Sequence, residues 1–337
     1  MKRNGHQCGK QRYRCLICNH SFIRHQRQST SLSDFKAFSS FILGNKNRLQ
    51  TAHDAQLSRK TLSKIFWQFF THPLTPTAVN QVFPLVRTEA WVLALDGTWL
   101  RRQGVIMIYW NHTAGQCIAW SWETGETYFA LASGLTRVIH EMSDQLPDGV
   151  VSDWKGSIVA NVERYISAVP HQRCLAHVKR DIERLLPRHS PYPATLALRS
   201  IGFSLLSVKS MQEKKNWQLH LKAWQMIYGS VLTERSIPEV PTKTRRKWWY
   251  THSNVRRAFR ILTKDQDHLF QFLEHTGLPS TNNGLEGINS DLKIKLRNHR
   301  GMKAQQQFQF VSWYLTFKKV KKPADLKRLW DIWKHWK

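Results

Sequence analysis

The segment Trp91-Val92-Leu93-Ala94-Leu95-Asp96-Gly97-Thr98 decides the fold of this 337-residue chain. Its first five residues are apolar, which predicts a short buried strand that ends at an aspartate followed by glycine. Two further apolar runs follow, at 105–110 and 116–122, and polar residues and glycines separate them. The spacing therefore predicts three strands in a meander, with Asp96 at the end of the first.

The segments after the meander alternate between helical and extended patterns. The sequence predicts helices at 128–146, 158–166 and 175–186, and short strands at 149–153 and 171–174. Three strands, a helix, a strand, a helix and a strand form the order of a ribonuclease H-like core. We therefore expect an α/β fold with a mixed sheet, whose first part spans residues 88–187.

Other regions flank or interrupt the expected core. Apolar residues at helical spacing predict a small helix-turn-helix-like region at 30–72, and the prolines that follow indicate a linker. Residues 188–280 contain Pro, Trp and many basic residues and predict an α-helical insertion. The core is expected to close with 281–320, while a partial zinc ribbon at 1–25 and a C-terminal helix at 321–337 form the two ends.

The charge of the chain indicates the kind of partner it binds. Lys and Arg number 51 against 23 Asp and Glu, a formal net charge of +28. A folded protein this basic usually binds a polyanion such as nucleic acid, although ribosomal and membrane-surface proteins are also basic. No apolar run approaches the ~20 residues of a membrane span, and no signal peptide is recognisable. The five cysteines do not suggest a disulfide framework, so we expect a reducing cytoplasm.

The segment 57–69 has the two faces that a DNA-recognition helix needs. Ser58 is a typical N-cap residue. One face is apolar and carries Leu62, Ile65, Phe66 and Phe69. The other face is basic, and we expect it to bind DNA through Arg59, Lys60 and Lys64. The alternative is an ordinary amphipathic helix of a basic protein.

A second basic segment combines cations with aromatic rings. It reads Lys243-Thr244-Arg245-Arg246-Lys247-Trp248-Trp249. Such a patch can bind phosphates and stack on bases, or it can form a solvated basic face over a Trp-lined core.

The N-terminal region contains half of a zinc-binding pattern. Cys15-Leu16-Ile17-Cys18 has the spacing of a zinc knuckle, with Tyr13 and Phe22 beside it. A structural zinc site needs four ligands, and a second pair is missing. Cys8 and one of the nearby histidines can replace that pair only with poor spacing. Two interpretations therefore stay open: Cys15 and Cys18 bind zinc, or they are two free thiols.

Three carboxylates are candidates for a metal-dependent active site. Asp96 and Asp153 end strands that lie side by side in the expected fold, so their side chains should converge. Glu286 lies on a predicted helix at 281–297 that can supply a third carboxylate. Oxygen ligands suit Mg²⁺ or Mn²⁺, and two such ions assist attack on a phosphodiester. Each acid alone has a simpler interpretation, as a turn residue, a helix cap or a surface charge.

Three motifs together resemble the Mutator-type bacterial insertion-sequence transposases. Asp96-Gly97 resembles the first acidic motif of that family. The second motif has an acid and a glycine after a strand and a Cys-x-x-His pair about twenty residues further on, as in Asp153-Trp154-Lys155-Gly156-Ser157 and Cys174-Leu175-Ala176-His177. The predicted helix at 281–297 resembles the third acidic motif of that family. It contains Thr281-Asn282-Asn283-Gly284-Leu285-Glu286-Gly287-Ile288-Asn289. The resemblance extends from about residue 90 to 320.

This resemblance implies a DDE transposase with a helical insertion between the second and third acids. Such an enzyme would bind the terminal inverted repeats of its element on double-stranded DNA, cleave there and join the ends to target DNA. It would hold Mg²⁺ or Mn²⁺ at the three acids, act as a homo-oligomer and work at the bacterial nucleoid. Cys174 and His177 would lie near the active site, and Lys293 and Arg297 would bind DNA phosphates.

Two alternatives remain open at this point. One is a nuclease of the same fold that cuts DNA without joining it, and the other is an inactive DNA-binding derivative. The intact acids argue against the second alternative. Related proteins often begin with a full zinc ribbon, whereas the opening Cys pair is absent before Cys15. We therefore expect either a truncated element or a misplaced start.

Overall fold

The N-terminal region forms a small antiparallel sheet. The computed structural model describes residues 1–8, 10–23, 30–100, 104–167, 169–238, 247–299 and 301–336. Strands β1 (Lys2–Gln7), β2 (Lys10–Arg14) and β3 (Ser21–Ile23) pair in chain order. The rings of Tyr13 and Phe22 stack across β2 and β3 with centroids 6.3 Å apart. Cys15 and Cys18 lie in the turn between these two strands.

Four helices follow, and a side-chain cap starts each of them. They are α1 (Leu32–Leu43), α2 (Arg48–Asp54), α3 (Arg59–Thr71) and α4 (Pro76–Val82). Backbone N–H groups of the first turns donate to side-chain oxygens of Ser31, Asn47, Ser58 and Thr75. Four residues connect α2 to α3, which is the length of a helix-turn-helix connection.

A mixed five-stranded sheet forms the centre of the molecule, and the fold is α/β. Its strands are β4 (Val92–Trp99), β5 (Val105–Asn111), β6 (Gln116–Glu123), β7 (Gly149–Ser152) and β8 (His171–Arg173). The spatial order is β6-β5-β4-β7-β8. The first three strands pair antiparallel as a meander, whereas β4, β7 and β8 run parallel. The carboxyl ends of β4, β7 and β8 therefore share one edge.

Three helices follow β6, β7 and β8 of this sheet in the chain. They are α5 (Tyr128–Glu141), α6 (Gly156–Tyr165) and α7 (Leu175–Leu185). Helix α5 ends five residues before the predicted end at 146. Ser143 and Asp144 adopt φ angles of 55° and 63°, which lie in the left-handed region and cannot continue an α-helix. The periodicity of the apolar residues did not reveal this termination.

Residues 188–280 are mostly helical where the structure describes them. They contain α8 (Pro193–Ser204), α9 (Met211–Tyr228), β9 (Arg235–Ser236), β10 (Trp249–Tyr250), α10 (Ser253–Thr263) and α11 (Gln271–Glu274). Trp217 and Trp224 of α9 enter a core shared with α7, and their indole N–H groups donate to the carbonyls of Ile201 and Ala194. Of the predicted basic and aromatic segment, residues 243–246 lie outside the described residues.

The last three helices join the two ends of the chain. They are α12 (Asn283–Asn298), α13 (Ala304–Lys318) and α14 (Pro323–Trp336). Buried rings of α13 and α14 pack with rings of α1 and α3, among them Phe35, Phe38, Phe69, Trp313 and Trp333. In the part of the chain that the structure describes, no helix has both the length and the apolar character needed to cross a membrane.

A buried lysine fastens α12 to α1. Lys295 is 4% exposed, and its ammonium donates to the carbonyls of Leu43 and Gly44 at the end of α1. Cations at a helix C-terminus satisfy carbonyls that have no partner inside the helix. The position of α12 is thereby tied to the N-terminal helices.

Acid should destabilise the fold through His171 of β8. This side chain is buried, and its Nε2 lies 2.8 Å from Ser152 Oγ. Burial lowers the pKa of His171 from 6.5 to about 3. The unfolded chain therefore binds a proton that the folded chain excludes as the pH falls from 6.5 toward 3. The free energy of unfolding should decrease over this range by up to about 1.4 kcal/mol per pH unit from this group.

Urea unfolding of His171→Gln at several pH values measures this contribution. The variant should show a shallower decrease of unfolding free energy with falling pH than the parent chain. His189→Gln, which changes an exposed histidine, should keep the parental slope. Parallel curves for His171→Gln and the parent would contradict the assignment.

Candidate active site

The register of β4 and β7 places Asp96 and Asp153 together. Ala94 of β4 pairs with Val151 of β7 in parallel register. Asp96 lies two residues after Ala94, and Asp153 lies two residues after Val151. Because side chains two residues apart lie on the same face of a strand, both carboxylates end up on one face at the same level. The side chains of Asp96 and Asp153 are 12% and 8% exposed.

The surroundings of Asp96 work against its ionisation. Burial raises the pKa of Asp96, and the negative charge of Asp153 raises it further. His177, whose Nε2 lies 3.9 Å from Asp96 Oδ1, and Asn289, whose Nδ2 donates to Oδ2 at 2.8 Å, act in the opposite direction. A cation between the two aspartates would relieve the same repulsion.

Lys155 supplies a positive charge to this group of acids. Its ammonium lies 3.1 Å from Asp153 Oδ2 and also forms an ion pair with Glu126 Oε2. Burial lowers the pKa of Lys155, but Asp153 and Glu126 together raise it above the ordinary value. Lys155 therefore stays charged and holds the two carboxylates close to each other.

Glu126 is a fourth acid of the site that sequence reasoning missed. Its side chain is 6% exposed, and its Oε1 is buried without a hydrogen-bond partner. It also explains the glycine after Asp96, because a Cβ at Gly97 would collide with Glu126 Oε1 and lie 3.0 Å from Met107 Sδ. Glu126 lies two residues before the start of α5. No local sequence pattern indicates that this part of the chain lies beside Gly97 of β4.

Helix α12 brings Glu286 and Asn289 to the same edge of the sheet. These residues are three positions apart and therefore share a face of the helix. Glu286 Oε1 lies 3.4 Å from His177 Nδ1 and forms an ion pair with Arg180. Asn289 instead donates a hydrogen bond to Asp96. Through Glu286 and Asn289, α12 therefore contacts both α7 and β4.

Cys174 joins the end of β8 to the start of α12. Burial raises the pKa of Cys174 to about 11, so the side chain is a neutral thiol near neutral pH. Its sulfur accepts a hydrogen bond from the Asn282 N–H at 3.3 Å and lies 3.7 Å from Glu286 Oε1. Cys174 and His177 therefore both contact the third predicted acid, as the Cys-x-x-His motif implied.

The three predicted acids do not form a single cluster. Among the described residues, Cys174, His177 and Glu286 form the one group whose ligand atoms all lie within 4.8 Å of one another. Asp96 and Asp153 lie close to each other, while Glu286 is held by α7. The sequence predicts that the first strand ends at Asp96, but β4 continues to Trp99 because its last residues still pair with β5. His177 lies between the two sets, because its ring nitrogens approach Asp96 and Glu286.

The other predicted binding residues are at the surface. Arg59, Lys60 and Lys64 are exposed on α3, and Lys293 and Arg297 are exposed on α12, the helix of Glu286. Cys15 and Cys18 are free cysteines, and within the described part of the N-terminal region no third Cys, His, Asp or Glu joins them in a potential metal cluster. DNA binding and zinc binding at these positions stay predictions.

The comparison with known families identifies the group to which this chain belongs. The family model described as Transposase IS66 family matches residues 45–298. The chain belongs to the IS66 family of transposases. The match extends from α2 to α12 and therefore includes Asp96, Asp153, Glu286 and the Cys174–His177 pair. No curated protein matches the chain.

The IS66 match corrects one sequence prediction. An insertion-sequence transposase was expected, but of the Mutator type, and IS66 is a different family. The motifs behind that expectation reflect the geometry around the acids, where an acid ends a strand and a Cys-x-x-His pair contacts a helical glutamate. Different transposase families can share such local requirements, so the motifs indicated the class of protein but not its family.

Gly97→Ala should disturb both the stability and the activity of the transposase. The added methyl group competes with the Glu126 carboxylate, which Lys155 holds in place. Overpacking of this kind typically costs about 1–3 kcal/mol of unfolding free energy. Urea unfolding and a DNA cleavage assay with Mn²⁺ would measure the two effects.

Two comparisons separate the collision from a general effect of substituting glycine. Gly229→Ala should be nearly neutral, because Gly229 has a φ of −58° and its nearest neighbour, Gln225 Cγ, lies 3.8 Å from the added carbon. Gly97→Ala should cost less in a Glu126→Ala background, where the colliding oxygen is gone. Equal costs in both backgrounds would refute the collision.

Proposed function

We propose that this chain is a DDE transposase with a ribonuclease H-like core that binds the ends of its insertion sequence and catalyses DNA cleavage and strand transfer. One observation carries the proposal: Asp96 and Asp153 each lie two residues after Ala94 and Val151, which pair in adjacent parallel strands, in a chain of a transposase family. The strand order, a meander followed by two parallel strands beside β4, supports the ribonuclease H-like core.

The residues at this edge suit a hard divalent cation. Asp96 and Asp153 offer carboxylate oxygens, and two further buried oxygens, Glu126 Oε1 and Asn289 Oδ1, have no hydrogen-bond partner. Such a donor set favours Mg²⁺ or Mn²⁺ over softer metals. Asp96, Asp153 and Glu286 would hold two such ions, whose chemistry at a phosphodiester is to activate the attacking oxygen and stabilise the leaving one.

The neighbouring residues have positioning roles in this proposal. Asn289 orients the Asp96 carboxylate, and Lys155 forms ion pairs with both Asp153 and Glu126. His177 and Arg180 hold Glu286 in place from α7. These two contacts fix the position of the Glu286 side chain before any substrate is present.

The exposed cations define where DNA would lie. Lys293 and Arg297 follow Glu286 along α12, and we propose that they bind phosphates next to the scissile bond. Arg59, Lys60 and Lys64 of α3 would contact the terminal repeat. Pairing two transposon ends requires at least two copies, so we also propose that the enzyme acts as a homo-oligomer on double-stranded DNA.

Neutral substitutions of the acids should abolish catalysis and leave DNA binding intact. Asp96→Asn, Asp153→Asn and Glu286→Gln remove a negative charge with little change in shape. Each should reduce Mg²⁺- or Mn²⁺-dependent cleavage of a labelled transposon end by about 100-fold or more, since preorganised charge at a reacting centre is worth at least this much. Electrophoretic mobility shifts would monitor binding in parallel.

Asp181→Asn is the matched control for these variants. Asp181 pairs with Arg184 on α7 and has no contact with the candidate ligands, so this variant should cleave normally. Unchanged cleavage by Asp153→Asn would exclude the carboxylate mechanism. Cleavage by the parent enzyme without joined product would instead favour a nuclease that does not transfer strands.

Removal of the α3 cations should weaken DNA binding and its dependence on salt. Each phosphate contact contributes about 0.9 to the slope of log K against log salt concentration. The triple variant Arg59→Ala, Lys60→Ala, Lys64→Ala should therefore lower this slope by up to about 3. Fluorescence anisotropy with a labelled end duplex at several salt concentrations measures it.

The double variant Lys215→Ala, Lys222→Ala provides the control. Both lysines are exposed on α9, outside the predicted DNA-binding helix. Their loss should change the slope less than the triple variant does. An unchanged slope in the triple variant would show that α3 is an ordinary amphipathic helix.

A further inference from the structure

A cleft with a volume of about 520 Å³ lies between α6 and α10, beside the candidate active site. Trp154, which follows Asp153, and Arg173, which precedes Cys174, both line it. The cleft is therefore built from residues that directly adjoin the candidate site in sequence. The proposed roles of the acids and of the exposed cations do not account for it.

Trp154 has an unusual backbone conformation for a large side chain. Its φ of 67° lies in the left-handed region, which bulky residues seldom adopt and which marks functional positions when the surroundings enforce it. The indole Nε1 donates to Asp265 Oδ2 at 3.1 Å, and Asp265 is itself left-handed with a φ of 53°. The Trp154 ring also packs against His171 and His268, with centroids 4.8 and 4.3 Å away.

Cations line the same cleft as the ring. Arg257, Arg260 and Lys264 recur at intervals of three and four residues along α10 and its end, so they share one side of the helix, and all three line the cleft. Arg173 is nearly buried, and one of its N–H groups donates to the carbonyl of Ile261. Glu163 and Asp265 are the acids of the lining, so positive charge is in excess.

The start of α6 adds a further feature suited to anions. Gly156, its first residue, lines the cleft, and a Cβ at this position would meet no atom within 4 Å. The N-cap residue Lys155 makes no side-chain cap hydrogen bond. The Ile158 N–H donates to the Lys155 carbonyl, which leaves the N–H groups of Gly156 and Ser157 for other acceptors, and a helix N-terminus favours phosphate.

We infer that this cleft binds one unpaired nucleotide of the DNA substrate, with the base on Trp154 and the phosphate among Arg257, Lys264 and the start of α6. An aromatic ring within a row of cations is the combination that single-stranded nucleic acid requires. The volume suits one small-molecule-sized group, whereas a paired base must leave the duplex to enter such a site. This inference rests on the proposed function.

Binding of a bulged duplex tests the inference without requiring catalysis. The probe is a short DNA duplex with one unpaired 2-aminopurine, compared with the same duplex fully paired. The parent chain should bind the bulged duplex about tenfold more tightly, and the fluorescence of 2-aminopurine should fall on stacking. Trp154→Ala should lose this preference and keep its affinity for the paired duplex.

Further variants separate recognition from folding and from chemistry. Trp154→Phe should keep part of the preference, and Arg257→Gln, at an exposed position, should reduce it without disturbing the fold. Phe129→Ala, which removes a ring that is 82% exposed on α5, should leave the preference unchanged. Asp153→Asn should retain the preference while it loses cleavage.

Two results would overturn the inference. One is equal affinity of the parent chain for the bulged and paired duplexes, which would indicate contact with backbone phosphates alone. The other is a preference that survives in Trp154→Ala. If the parent chain bound neither duplex, the proposed function itself would fail, together with the cleft assignment.

Discussion

The mutual repulsion of carboxylates at one edge of the sheet is the constraint on which the site depends. Parallel pairing of β4 and β7 brings Asp96 and Asp153 to the same level, and Glu126 approaches from the start of α5. Buried acids at this proximity are stable only when positive charge or hydrogen-bond donors compensate them. Lys155 and Asn289 provide this compensation, as an ion pair to Asp153 and a hydrogen bond to Asp96.

The helices at the two ends of the chain support this edge from a distance. Lys295 fastens α12 to the carbonyl end of α1, and the aromatic core joins α1 and α3 to α13 and α14. The indole N–H of Trp313 donates to the Phe69 carbonyl, which links α13 to the end of α3. The helix with the third acid and the helix with the predicted DNA-binding cations thus belong to one packed unit. Buried contacts therefore fix the position of α3 relative to α12.

Sequence patterns predicted the parts of this site that depend on local order. Asp96 and Asp153 could be proposed as candidates because each follows an apolar run, and Glu286 because it lies in the first turn of a helix. Glu126 and Lys155 could not be assigned in this way, since their roles arise from contacts between separate elements. The early end of α5 was missed because left-handed residues at 143 and 144 leave no mark in apolar periodicity. The family prediction was wrong because short motifs describe a local geometry, and that geometry is not confined to one family.

The three residues after β7 show how one short segment connects three parts of the molecule. Asp153 faces the end of β4, Lys155 reaches back to Glu126 before α5, and Trp154 contacts Asp265 after α10. An ordinary extended or helical backbone would not place three consecutive side chains against three different elements. The left-handed conformation of Trp154 supplies the required change of direction, at an energetic cost that the hydrogen bond to Asp265 and the packing on His268 offset. The insertion is therefore linked to the candidate site through Trp154, the residue that directly follows Asp153.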